Sequence, residues 1–188
     1  MEVILTAALT FGVLFLIDKG FTGLFRSKKQ HRSGLSVRLP KVNGIAGVLL
    51  CVLAALVLVT DFEESQGLML FAGLFIAVLG IGLSIYYISF GIYYDNDGFV
   101  FESFGKKSVS YSYADICTQK LYLLQGGSTL IELHMADGTA VGIQSKMEGA
   151  YPFLDKAFYR WCDQKGLDPA GCQFHDPDNS LWFPSEEA

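Results

Sequence analysis

Twenty-three consecutive residues, Leu68 to Phe90, carry no charge, and thirteen of them are Leu, Ile, Phe or Val. As a helix rising about 1.5 Å per residue, such a run covers a hydrocarbon core about 30 Å thick. Inserting its large apolar side chains is worth on the order of −4 to −8 kcal/mol, at roughly −0.3 to −0.6 kcal/mol for each central position. No charge opposes it. The segment must either span a membrane or be buried on all sides, and composition favours the span. Only 18% of the 188 residues are charged and 51% are hydrophobic, whereas a soluble domain carries about 25% charge.

Two further apolar segments, Val3 to Ile17 and Ile45 to Thr60, hold ten such side chains each. With Met1 and the uncharged flank Val42 to Gly44 they reach the lower end of the spanning range. Three transmembrane helices are therefore expected in a membrane region 1–90, at about 3–17, 45–60 and 68–90. The first reads as an uncleaved span, because acidic Glu2 precedes it, basic residues follow it and no small-residue cleavage site closes it. The loop 19–41 holds Lys19, Arg26, Lys28, Lys29, Arg32, Arg38 and Lys41, while "DFEESQG" at 61–67 has no Lys or Arg. This asymmetry puts the first loop in the cytoplasm and the N-terminus outside. Three crossings return the C-terminal half to the cytoplasmic side.

The first loop admits a sharper reading. Phe21, Leu24 and Phe25 beside Arg26, Lys28, Lys29 and Arg32 could lie on the bilayer and grip anionic lipid, at about 1 kcal/mol per basic residue. A topology signal alone is the plainer reading and the favoured one. In the third span Gly73, Ala77, Gly80 and Ser84 share one face, where another helix can approach closely. The second span, with Ala54 and Ala55, is the nearer partner, and self-association is the other. None of the three spans contains Asp, Glu, Lys, Arg or His, the groups that ion pathways and proton relays need. A transporter is not expected.

Beyond Phe90 the period changes. "GIYYDNDGFVFESF" reads as strand, turn, strand, with Asp95-Asn96-Asp97-Gly98 supplying the turn. From Ser108 to Tyr113 serines alternate with Val109, Tyr111 and Tyr113. "CTQKLYLL", "TLIELHM" and "TAVGIQS" complete about six strands joined by tight turns, which implies antiparallel pairing. One amphipathic helix follows, with Tyr151, Leu154, Phe158 and Trp161 on its apolar stripe, Ser145 and Glu148 as a candidate capping box, Pro152 setting the start of regular helix nearer Gly149, and Gly166 as its stop. Four cysteines show no CxxC pair, and cytoplasmic thiols stay reduced, so no disulfide is expected.

A span running directly into "YYDNDGFVF", a Gly-Lys turn, "YSYADI" at 111–116, two hairpin strands and a closing helix resembles the bacterial pleckstrin-homology-like (PH-like) domains. Many of these are tethered to membrane helices and have no known function. The family's aromatic-x-Asp-Ile/Leu step falls here on Tyr113, Asp115 and Ile116, and the resemblance covers about 91–166. It implies a bent antiparallel sheet capped by the helix, used for recognition or assembly, with no catalysis. Tyr86, Tyr87, Tyr93 and Tyr94 then fall where an interfacial aromatic belt belongs. Eukaryotic relatives grip phosphoinositides through a basic pocket. Here the first turn is acidic, with Asp95 and Asp97, and residues 95–188 sum to −7, so head-group binding of that kind is not expected.

Other chemistry is thin. Cys162, Cys172, His175 and Asp176 lack the paired spacing of a zinc site. No G-x-S-x-G accompanies Ser128 or Ser145, and "GKKS" at 105–108 lacks the first glycine and the helix of a phosphate loop. Neither cofactor nor metal nor nucleic-acid partner is expected. In the tail 167–188, Trp182 and Phe183 are a candidate partner contact if exposed, while fold-back onto the domain is the favoured alternative. The sequence thus reads as a multi-pass bacterial inner-membrane protein with a non-catalytic binding or assembly module. The alternative is a small membrane-bound enzyme or accessory subunit, which would need His134, Glu132 and a cysteine to converge. A third is a homo-oligomer detectable by crosslinking through Cys51.

Overall fold

The structure is a computed structural model that describes residues 29–60, 67–105 and 107–185. The expected span at 3–17, with Arg26 and Lys28, lies outside the described residues. The chain divides into two compact units: one contains the apolar helices at 40–90, and the other joins 28–39 to the chain from 91 onward.

Helix α1 (Lys41–Thr60) and helix α2 (Gly67–Ser89) have 20 and 23 residues. Both are long and apolar enough to cross a membrane. α1 begins four residues before the apolar run, so its length of about 30 Å matches the hydrocarbon core. Leu53, Phe71, Phe75 and Val78 point outward; in water this surface would be strongly disfavoured. The seam between the helices is made of small residues. A Cβ built on Gly47 would lie 3.0 Å from Ser84 N and 3.1 Å from Gly80 O, and one on Gly80 would lie 2.9 Å from Cys51 N. Gly73 meets Leu58 in the same way, and Ala54 is buried.

The small-residue face of α2 thus packs against α1 within the chain at Gly73 and Gly80, the nearer of the two partners expected for it. Ala55 is exposed; Gly47 and Cys51 take the place expected for it. Cys51, half-buried, sits in the seam beside Gly80.

The second unit contains seven strands in two antiparallel sheets, where one bent sheet of about six strands was expected. The first sheet has the order β1 (Ser36–Val37), β2 (Gly91–Tyr94), β3 (Gly98–Glu102), β4 (Val109–Ser112); the second has β5 (Ile116–Leu124), β6 (Ser128–Met135), β7 (Ala140–Gln144). The extra strand, β1, comes from the basic first loop and pairs Ser36 with Tyr93 and Val37 with Ile92. Two residues are too few to show alternation. The sheets separate because the chain turns through a 3-10 turn at Tyr113–Asp115, capped by Ser112, whose backbone N–H donates to Asp115 Oδ2 at 2.8 Å. This is a capping box inside the "YSYADI" motif.

Helix α3 (Ala150–Lys165) lays Phe153, Leu154, Ala157, Phe158, Trp161 and Cys162 into the core and stops at Gly166 with φ 65°. The start at Gly149 is as expected, while the roles of Tyr151 and Ser145 change. Tyr151 is exposed and Phe153 takes its place inside. Ser145 accepts from Thr129 N at 3.0 Å, while the helix starts from Gly149 without a side-chain cap. Tyr93 and Tyr94 are also buried, between β1, β3 and α3, so neither belongs to an interfacial belt. Tyr86 remains exposed.

Candidate functional site

β5 is an edge strand of its sheet, and its outer side receives the tail. The site is built around Gln119, a polar side chain with no solvent exposure. Such a group must find partners, and it finds the backbone of an extended segment. Its Nε2 donates to Ser180 O at 2.5 Å, and its Oε1 accepts from Trp182 N at 3.0 Å and Phe183 N at 3.2 Å. Gln119 N donates to Pro184 O at 2.9 Å, and Gln119 bridges Ser185 in parallel. Asp176 and Ser180, the latter at φ 60°, turn the chain into this position.

The side chains then fill the space between β5 and α3. Trp182 is fully buried, donates from Nε1 to Asp155 Oδ1 at 2.7 Å and lies 5.5 Å from the Tyr151 ring. Phe183, equally buried, sits edge-on to Trp161 at 5.7 Å and to Phe158 at 6.3 Å. Trp182 and Phe183 are thus core residues, as the favoured fold-back reading has it, and they do not offer the exposed contact that was the other reading. The residue missed from sequence is Gln119, which lies in the polar run Thr118-Gln119-Lys120 of β5 with no local mark of burial.

Basic-loop residues divide. Arg32 is exposed, and the Lys29 side chain lies outside the description. His31 is packed into the β unit: its Nε2 lies 3.0 Å from Glu102 Oε1 and its ring 4.5 Å from the Tyr93 ring. Arg38 donates from Nη2 to Tyr93 OH at 2.9 Å. His31 and Arg38 are therefore part of the folded module.

Among the described residues no group of three or more His, Cys, Asp or Glu side chains is placed to hold a metal ion. Glu132 and His134 are 3.6 Å apart on β6, while the exposed Cys117 turns its thiol to Asp115 O at 3.7 Å. His175 stacks on Phe158 at 3.8 Å, and burial lowers its pKa below the ordinary value. A shallow depression of about 310 Å³ at the end of α3 is lined by Tyr159, Arg160, Asp163, Leu167 and Pro169, with Arg160 and Asp163 paired at 3.3 Å. None of these places joins a nucleophile to a base.

Burial pushes the Cys162 thiol up to about 11, and the neighbouring Cys172 thiol adds to the rise. An unfolded thiol ionises near 9.0, so between these values the unfolded chain has released a proton that the folded chain retains. The contribution of Cys162 to stability is constant below about pH 9 and falls as pH rises toward about 11. Denaturant midpoints measured across that window should decline, and Cys162→Ala should flatten the decline. At pH 8 iodoacetamide should modify Cys117 well before Cys162.

Compared with family models, curated proteins and solved structures, the chain gives no match.

Proposed function

We propose that the protein is a multi-pass bacterial inner-membrane protein whose PH-like β unit lies in the cytoplasm and serves as a non-catalytic module for protein binding or assembly. The observation that carries this reading is the capture of an extended segment at the β5 edge through its backbone, by Gln119 and the strand itself. Strand addition of this kind is a common mode of peptide recognition. The tail at the β5 edge is what supports this reading, and β4, terminal in the other sheet, is a second edge.

Topology has its own support. Residues 36–39 and those from 91 onward belong to one unit, which supports a chain that departs for α1 and returns from α2 on one side of the bilayer. Seven basic residues in the first loop against none in 61–67 favour the cytoplasm for that side. The order of strands and the closing helix α3 favour the PH-like reading.

Two measurements in a bacterial membrane test it together. A fluorescent reporter after Ala188 should be active in the cytoplasm, and a tag within 61–66 should be reachable from outside. A photo-crosslinking residue at position 110, on the β4 edge, should give one discrete adduct with a second protein. A periplasmic C-terminus, or no adduct at 110 or at neighbouring edge positions, would reject the reading.

A further inference from the structure

Both connections to the apolar helices leave the β unit at one end. β1 runs through Leu39 and Pro40 into α1, and α2 passes through Phe90 into β2. Strand register fixes what else lies there. Gly91, the first residue of β2, pairs with Glu102, the last of β3, so Phe104 and Lys107, which follow β3, lie beside this entry point. Arg38 bridges Glu148, which brings the turn before α3 to the same end. Lys146 Nζ donates to Gly126 O at 3.0 Å, which adds the tip of the β5–β6 hairpin.

That end displays apolar tips with basic flanks. Phe104 is 61% exposed and Leu123 89%, and Lys107 and Lys146 are exposed beside them. Among the described residues its acids are Glu102, 3.0 Å from His31, and Glu148, against Arg32, Arg38, Lys107 and Lys146. The other end is acidic. Asp95 and Asp97 form the β2–β3 turn, Tyr113 OH donates to Asp95 O at 2.7 Å, and Tyr111 OH donates to Asp137 Oδ2 at 3.2 Å. Ala136 N donates to Asp115 O, which places the β6–β7 turn there too. Charge is therefore graded along the strands, from basic at the helix connections to acidic at the far turns.

We propose that the entry end of the β unit seats on an anionic lipid surface, with Phe104 and Leu123 at the headgroup boundary and Lys107 and Lys146 against phosphates. The inference rests on the membrane reading above. Lipid is the occupant because the apolar tips stand on separate turns, not in one groove, and because the membrane leaflet is anionic and the far end of the unit would be repelled by it. Isolated aromatic and aliphatic tips between lysines suit the headgroup boundary, where an apolar body and a charged head are both accommodated.

The test uses the full chain in vesicles of phosphatidylcholine and phosphatidylglycerol, with or without brominated acyl chains as a fluorescence quencher. Native Trp161 and Trp182 are buried and set the background. Phe104→Trp should be quenched about twofold more than the wild type, since interfacial side chains reach the headgroup–acyl boundary. Asn96→Trp, at the acidic end, should not be. Leu123→Trp repeats the test should the first variant misfold. Adding Lys107→Glu and Lys146→Glu to Phe104→Trp should remove the extra quenching. Val78→Trp, on the outward face of α2, reports the span itself. If Val78→Trp is quenched while Phe104→Trp and Leu123→Trp match Asn96→Trp, the seating is wrong and the membrane reading stands. If Val78→Trp is not quenched, both fall.

Discussion

Replacing Trp182 with Ala should destabilise the β unit by about 3–5 kcal/mol, the range for removing a large buried aromatic side chain. Trp182 has no exposed surface, so the whole indole becomes cavity. Its Nε1 donor to Asp155 Oδ1, 2.7 Å away, is lost as well. Against a typical domain stability of about 5–15 kcal/mol, the loss is a large share. Denaturant unfolding followed by near-ultraviolet circular dichroism reads both the midpoint and the loss of aromatic packing. Gln119→Leu is the companion variant. It leaves Ser180 O, Trp182 N and Phe183 N without their buried partner, and each unsatisfied group costs about 1–3 kcal/mol. Unchanged midpoints in both variants would mean that the tail is not part of the core.

The same residues mark where sequence reasoning stopped. Leu181, Trp182 and Phe183 in an Asp- and Pro-rich tail have the signature of a core segment, yet nothing local says which surface they cover. The answer is Gln119, more than 60 residues away and polar, whose role appears only when the backbone of the tail is beside it. β1 is hidden for a similar reason: Ser36 and Val37 form a strand solely because Ile92 and Tyr93 are there to pair with. Hairpins whose turns carry their own chemistry were legible. Asp95 accepts from Asp97 N and Gly98 N, and Gly138 has φ 81°. Tyr93 and Tyr94 misled because an aromatic run after a span matches an interfacial belt as well as it matches a buried strand. The apolar helices were readable because α2 needs no partner to be recognised.

What holds those two helices together gives the second large effect. Gly80→Leu should open the α1–α2 hairpin at a cost of about 3 kcal/mol, the upper end of ordinary overpacking. The reason is the nature of the obstruction. A Cβ at residue 80 would lie 2.9 Å from Cys51 N and 3.0 Å from Gly47 O, and backbone atoms cannot yield by changing rotamer. In a bilayer, helices associate chiefly through such close packing, because lipid offers no hydrophobic incentive of its own. Gly82→Leu is the matched control: it lies on the same helix, a Cβ there meets nothing within 4 Å, and it gains helix propensity of about 0.8–1.0 kcal/mol. Cys51, packed in the seam against Gly80, reports the outcome. Maleimide labelling of Cys51 in bilayers should rise on the order of a hundredfold in the first variant, in step with the more populated open hairpin, and stay at the wild-type rate in the second. Equal rates in the two variants would show that Gly47 and Gly80 are not the crossing point.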